Sequence, residues 1–311
     1  MTSPELPQPH GDEFRFYDAH VHFWDHSVLG LHWPYLEPGF DHPRLREMHQ
    51  LDAPAFTDIE FAAQAGNAAP DRVVHVQSCT EATPGLETAW LQTIADQRGA
   101  VDAIVARARL ADPDVSSVLQ ANRSPLLRGV RDMAAPNNIG SNEFTQGFAS
   151  AASMGLSIEL LVPYQKFDDV IELARRYPET RIVLGHAGQP EHRDREYFAN
   201  WSTALRGFRG FSNVVVKISA LASGADPNWT VDTIRPWGEH CIDVFSPDRA
   251  MFASNWPIDR LFGTYERLID AYRTISAGYD SGEQQQLFYE TAGRTYELAN
   301  PDSSSEQGTF P

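Results

Sequence analysis

Phe16-Tyr17-Asp18-Ala19-His20-Val21-His22-Phe23-Trp24 decides how the chain is read. Apolar residues flank two histidines two positions apart, and in a β-strand residues i and i+2 share a face. At a strand end, His20 and His22 can therefore aim both imidazoles at one point. That is ligand geometry for a divalent metal or, without one, an acid/base and electrophile pair. A strand with two buried, hydrogen-bonded histidines would read the same way in isolation, so the rest of the chain has to decide.

Working outward, seven more short apolar runs follow, at 72–77, 103–110, 126–132, 155–162, 181–186, 213–221 and 249–254. Each is apolar enough to be buried on both faces and ends in polar residues or glycine. Between them, 87–97, 168–177, 195–206, 232–245 and 265–274 carry apolar residues at three- and four-residue intervals, the period of a helix. Strands alternating with helical patterns imply a parallel sheet. Eight such units in 311 residues imply an α/β fold of the (β/α)8 TIM-barrel type, since such barrels run to about 250 residues and beyond. A doubly wound open sheet is the alternative, but no glycine-rich G-x-G-x-x-G follows any of these runs. The expected organisation is a leader over 1–13, one barrel domain over 14–299 and a polar, disordered tail over 300–311. The segment 25–51 carries Trp33, Pro34, Tyr35, Pro38, Gly39 and Pro43, too much for a simple connection. Long structured loops tend to be functional, and this one after strand 1 reads as a lid or wall over a site.

Composition narrows the function classes. A hydrophobic share of 42% and a charged share of 22% are those of a globular chain. No apolar run approaches the roughly 20 residues of a membrane span. The N-terminus has neither the basic start nor the apolar stretch of a signal peptide. Cys79 and Cys241 form no CxxC, so a reducing cytoplasm is the simplest compartment. A net charge of −17 argues against nucleic acid and anionic membranes as partners, while leaving room for a locally basic pocket and an anionic small molecule. A homodimer is compatible with the chain.

In such barrels the loops at the C-terminal strand ends carry the site. Those ends offer His20 and His22, His75 and Gln77, Arg107 and Arg109, Arg128, Arg131 and Asp132, Glu159, His186, Lys217 and Ser219, and finally Asn255 with Asp259. Singly each has a plain alternative: Arg109 and Arg128 would be at home in solvent, Cys79 reads as a small buried hydrophobe, and His75 lies short of its strand end. Their concentration at one end of apolar strands is the informative part, because buried cations and imidazoles need partners.

At these residues the chain resembles the amidohydrolase superfamily, in its branch of lactonase-like metal-dependent hydrolases such as the L-fuconolactonase and 2-pyrone-4,6-dicarboxylate lactonase families. The resemblance spans about Phe16 to Leu298. It rests on the Asp18–Trp24 opening, Gly129-Val130-Arg131, His186-Ala187-Gly188-Gln189-Pro190, Val216-Lys217-Ile218-Ser219 and Ser254-Asn255-Trp256-Pro257-Ile258-Asp259. It implies that His20, His22 and His186 surround the reacting carbonyl. They would either hold one divalent metal, zinc or manganese, or donate hydrogen bonds to the oxyanion without one. The family position that is usually the Asp base is Asn255 here, which cannot accept a proton as a base. Gly185 likewise stands where many relatives have Asp. Asp259, Glu159 and Asp18 are the carboxylates left to take over.

The expected function is hydrolysis of a small, carboxylate-bearing lactone or related cyclic ester, with His20, His22, His186, Asn255 and Asp259 as catalytic candidates. Arg107, Arg131 and Lys217 would bind the carboxylate. Trp24, Trp33 and Tyr35 would wall the pocket, with Gln77 and Glu159 also facing substrate. A lyase acting on a small aromatic or carboxylic acid is the second expectation, since decarboxylation needs no activated water. An inactive barrel that binds a small acid is the third.

Overall fold

A computed structural model describes residues 15–40, 45, 48–223 and 228–298. The expected leader and tail lie outside the described residues. Eight parallel strands form one sheet in sequence order: β1 (Tyr17–Val21), β2 (Arg72–Val76), β3 (Ala103–Arg107), β4 (Leu127–Asp132), β5 (Ser157–Leu160), β6 (Ile182–Leu184), β7 (Val214–Ile218) and β8 (Ala250–Phe252). Helices lie between successive strands, as the (β/α)8 reading requires.

Alternation along each strand sorts residues into two cores. Val214, Val216 and Ile218 of β7 join the cluster that includes Ile234, Trp237 and Ile242 of the following helix. Val215 instead joins an inner cluster with Tyr17, Ala19, Val76, Val105, Val183 and Met251. Ala292 and Tyr296 of the last described helix, Thr291–Tyr296, complete that inner layer. Burial on both faces explains why the strands read as continuous apolar runs.

The seam between β8 and β1 is what closes the barrel. Val21 and Trp256 form one parallel bridge, and the His22 amide donates to the Trp256 carbonyl at 2.8 Å. One turn earlier the Asp18 carboxylate stands in for backbone: Oδ1 accepts from the Ser254 amide at 2.9 Å and from the His20 amide at 3.3 Å. Its Oδ2 accepts from the Tyr265 hydroxyl at 2.9 Å. Asp18 is fully buried, and desolvation raises its pKa against the opposing effect of these hydrogen bonds.

The long segment after β1 is a wall rather than a free lid. Trp24–Asp25 pairs with Ala55–Phe56, and Leu31–His32 with Glu81–Ala82, both antiparallel. The first short helix after it, Asp58–Ala65, starts on a capping box in which Glu60 Oε2 accepts from the Thr57 amide at 2.7 Å.

Because Asp18 holds two otherwise orphaned donors on the far side of the seam, Asp18→Ala should cost about 3 kcal/mol of stability, measured by urea unfolding. A loss below about 1 kcal/mol would show that the seam closes without it.

Candidate active site at the strand ends

The register of β1 against β2 slips between Asp18 and Val21. Beyond the slip, His20 and His22 face each other with their Nε2 atoms 3.2 Å apart, both rings buried. His22 Nδ1 lies 2.9 Å from the Val76 carbonyl, which can only accept, so Nδ1 carries the hydrogen and Nε2 is bare. His20 Nε2 is also 3.4 Å from Arg131 Nη1, and its Nδ1 has no hydrogen-bond partner among the described residues. The His186 ring stands 4.6 Å from the His20 ring, with Nδ1 2.8 Å from Ser219 Oγ. Burial, reinforced by Lys217, His186, His22 and Arg131, holds His20 well below the usual imidazole range. Burial with Arg131 and His75 does the same to His22. Both imidazoles are neutral at physiological pH. His75 accepts from the Phe23 amide at 3.0 Å and is driven down to about 3 by burial, so it serves the loop rather than the site.

His186 reaches this cluster through a costly backbone. His186, Ala187, Gly188 and Gln189 have φ of 51°, 55°, 67° and 49°, consecutive left-handed residues that cost L-amino acids roughly 1–2 kcal/mol each. A Cβ on Gly188 would stand 2.3 Å from Phe167, so only glycine fits the turn. Trp201 locks it by donating Nε1–H to the Ala187 carbonyl at 2.9 Å. Ala220 after β7 and Asn255 after β8 are left-handed too, with φ of 53° and 57°. His186, Gln189, Ala220 and Asn255 all line one cavity, where such strain is expected to gather.

That cavity holds about 300 Å3. His22, Gln77, Arg131, His186 and Asn255 supply its polar lining, and Tyr35, Phe40, Leu45 and Met48 of the long segment wall it. Arg131 is gripped by Gln77, with Nη2 2.7 Å from the Gln77 carbonyl, and it makes no ion pair among the described residues. Asn255 donates Nδ2–H to Asp259 Oδ1 at 2.8 Å. Asp259 sits behind it, buried, with its pKa raised to about 7 by desolvation.

Several sequence candidates are placed elsewhere. Lys217 Nζ meets Glu159 Oε1 at 2.6 Å, and the Tyr296 hydroxyl donates to the same oxygen at 2.5 Å. These groups are buried and line neither of the two cavities at this end of the barrel. Burial lowers Lys217 to about 8 against the pull of Glu159. Trp24 and Trp33 are fully buried behind the wall, their indole N–H groups spent on the Ala53 carbonyl and Ser78 Oγ. Arg107 lines a separate cavity of about 170 Å3 with Arg109 and Glu87. Sequence reading does not single out Glu87, whose Oε1 accepts from the Ser78 amide, Ser78 Oγ and the Cys79 amide and so shapes the wall. The only signal was an acidic residue in the first turn of Leu86–Arg98, where capping is the ordinary explanation.

Part of this donor set fits a metal. Two nitrogens on a tetrahedral zinc stand ~3.3 Å apart, close to the 3.2 Å between His20 and His22. His22 also has the tautomer of a ligand whose second N–H is held by a carbonyl. Among the described residues no group of three or more His, Cys, Asp and Glu side chains is placed to hold an ion. His20 and His22 would hold such an ion, and it would supply Lewis-acid polarisation of a bound carbonyl.

Known proteins complete the picture. The Amidohydrolase family profile matches residues 17–298. A Sinorhizobium fredii chain named uncharacterized protein y4mH is 32% identical over 299 residues, covering 90% of this chain and 98% of the relative. The L-fucono-1,5-lactonase of Burkholderia ambifaria is 26% identical over 253 residues, covering 80% of this chain and 82% of that protein. A solved Burkholderia multivorans amidohydrolase with bound zinc shares the fold at a TM-score of 0.78 and 24% identity, covering 92% of this chain and 100% of that one. Among the described residues no helix is long and apolar enough to cross a membrane. With a family match running from the first barrel strand to the last described residue, this chain belongs to the amidohydrolase family.

Proposed function

We propose that the chain hydrolyses a small lactone or related cyclic ester that carries a carboxylate. The supporting observation is the convergence of His22, His186, Asn255 and Arg131 on one cavity, Arg131 having no ion-pair partner among the described residues. The L-fucono-1,5-lactonase likeness points the same way. Arg131 receives the substrate carboxylate. With Ser219 Oγ–H donating to Nδ1, the His186 hydrogen would sit on Nε2 and be donated to the ester carbonyl as negative charge develops. Asn255 gives one N–H to Asp259, which orients its amide, and its carbonyl oxygen holds the attacking water. The bare Nε2 of His22 takes that water's proton and returns it to the ring oxygen as the C–O bond breaks, and His20 orients His22 from beneath. Alternatively, one divalent ion, zinc or manganese, held by His20 and His22 would polarise the same carbonyl as a Lewis acid, and His22 Nε2 would then be a ligand instead of the base. The buried thiols of Cys79 and Cys241 suit a reducing compartment, and we assign the cytoplasm. A lyase reading draws on one observation: among the described residues no carboxylate lines the cavity to serve as base.

On a panel of lactones, His186→Ala should lower kcat/KM by about 100-fold or more, the usual cost of losing an oxyanion donor. His20→Ala should fall similarly. In H2(18)O the product acid should gain label; unlabelled product with carbon dioxide release would turn the assignment to a lyase.

Desolvation places Asp259 at about 7, so it is protonated below that pH and charged above it. The charged form grips Asn255 more firmly, and kcat/KM should climb as pH rises through about 7. Asp259→Asn should flatten that limb, whereas a limb that persists in the variant belongs to another group.

Elemental analysis of dialysed protein should find zinc or manganese at no more than one ion per chain, reduced in His22→Ala. Metal retained in full by His22→Ala would remove the pair from the ligand set.

A further inference from the structure

We infer that the substrate of this cavity has an apolar body, alkyl- or aryl-substituted, rather than the polyhydroxylated ring of a sugar lactone, an inference that rests on the lactonase reading and names its substrate class. Among the described residues, Gln77, Ser78, Ser223, Asn255 and His186 of the lining already hold hydrogen bonds within the protein. Gln77 donates Nε2–H to the Cys79 carbonyl at 2.7 Å and accepts from Arg131 through Oε1. Ser78 Oγ serves the Phe23 carbonyl and Glu87, and Ser223 Oγ the Ala220 carbonyl. Asn255 is held by Asp259 and His186 by Ser219. A polyol brings a donor and an acceptor at every carbon, and each buried without a partner counts against binding.

The large apolar residues of the lining are Phe40, Leu45, Met48, Met133, Leu161 and Ile258. Two of these are out of place in a free protein. Phe40 is 42% and Met133 51% exposed, and they are two of the four large hydrophobic residues exposed among the described residues. Both stand on the same cavity, one from the long segment after β1 and one just past β4. Exposed apolar groups gathered on one site mark a contact surface. Met133 and Met48 add adaptable thioethers, which mould to a ring or chain without demanding one shape. The geometry is that of an anion-holding floor under an apolar collar. A cavity of about 300 Å3 sits at the small end of ligand sites, so the body is a single ring or a short chain.

The test is calorimetric binding of two ring-opened acids to the full chain, 4-hydroxy-4-phenylbutanoate and gluconate, together with hydrolysis of carboxylate-bearing aryl and sugar lactones. The aryl acid should bind at least about tenfold tighter. Phe40→Asn and Met133→Gln should each erode that preference several-fold, while their melting temperatures stay with the parent because both side chains are exposed. Equal or tighter binding of gluconate overturns the inference, as does absence of binding by both acids. Hydrolysis of sugar lactones in preference to aryl lactones overturns it while leaving the hydrolase reading intact. Tight aryl-acid binding with no lactone hydrolysed sinks the hydrolase reading and keeps the apolar-body assignment.

Discussion

The Asp18 carboxylate is the interaction on which the rest of the molecule depends. A barrel of eight strands must join its last strand to its first, and among the described residues the backbone makes one bridge there, between Val21 and Trp256. Asp18 supplies the remaining acceptors to Ser254 and Tyr265, and it does so immediately beneath His20. A buried carboxylate is expensive unless its oxygens are satisfied, and these are, from three directions. The seam and the histidine pair are therefore one construction. The register slip that follows Asp18 is also what turns His20 and His22 toward Arg131 and His186.

Above the apolar inner layer the barrel holds several buried titratable groups. Lys217 and Glu159 form an ion pair, with the Tyr296 hydroxyl donating to the same carboxylate oxygen. Neutral imidazoles and the Arg131 guanidinium stand near it, Arg131 in register with Glu159 on the neighbouring strand. Among the described residues Arg131 is the one lysine or arginine that lines the cavity of about 300 Å3, in a chain whose overall charge is −17. That contrast lets an acidic protein accept an anionic ligand.

The eight-strand alternation was plain in the sequence because strands buried on both faces leave continuous apolar runs, and the strand-end histidines could be picked out by position. What the sequence could not reveal is which way each strand-end side chain turns. Arg107 and Arg131 occupy paired positions on neighbouring strands, yet they line different cavities. Trp24 and Trp33 look like pocket walls by composition, but their indoles are consumed by hydrogen bonds behind it. Lys217 and Glu159 pair with each other, because two opposite charges on nearby strands find one another before any ligand does. The left-handed turn at His186 has no signature beyond Gly188, since the residues that bear the strain are ordinary ones.

The separation of Asp18 from Ser254, 236 positions along the chain, has a consequence for how the protein is made. The first strand emerges from the ribosome long before its second neighbour exists. One of its edges stays open through nearly the whole of translation, with a carboxylate at its centre. A charge at that position keeps the waiting edge hydrated and discourages pairing with strands of other nascent chains. The same side chain that seals the finished barrel thus serves as its solubility guard during synthesis.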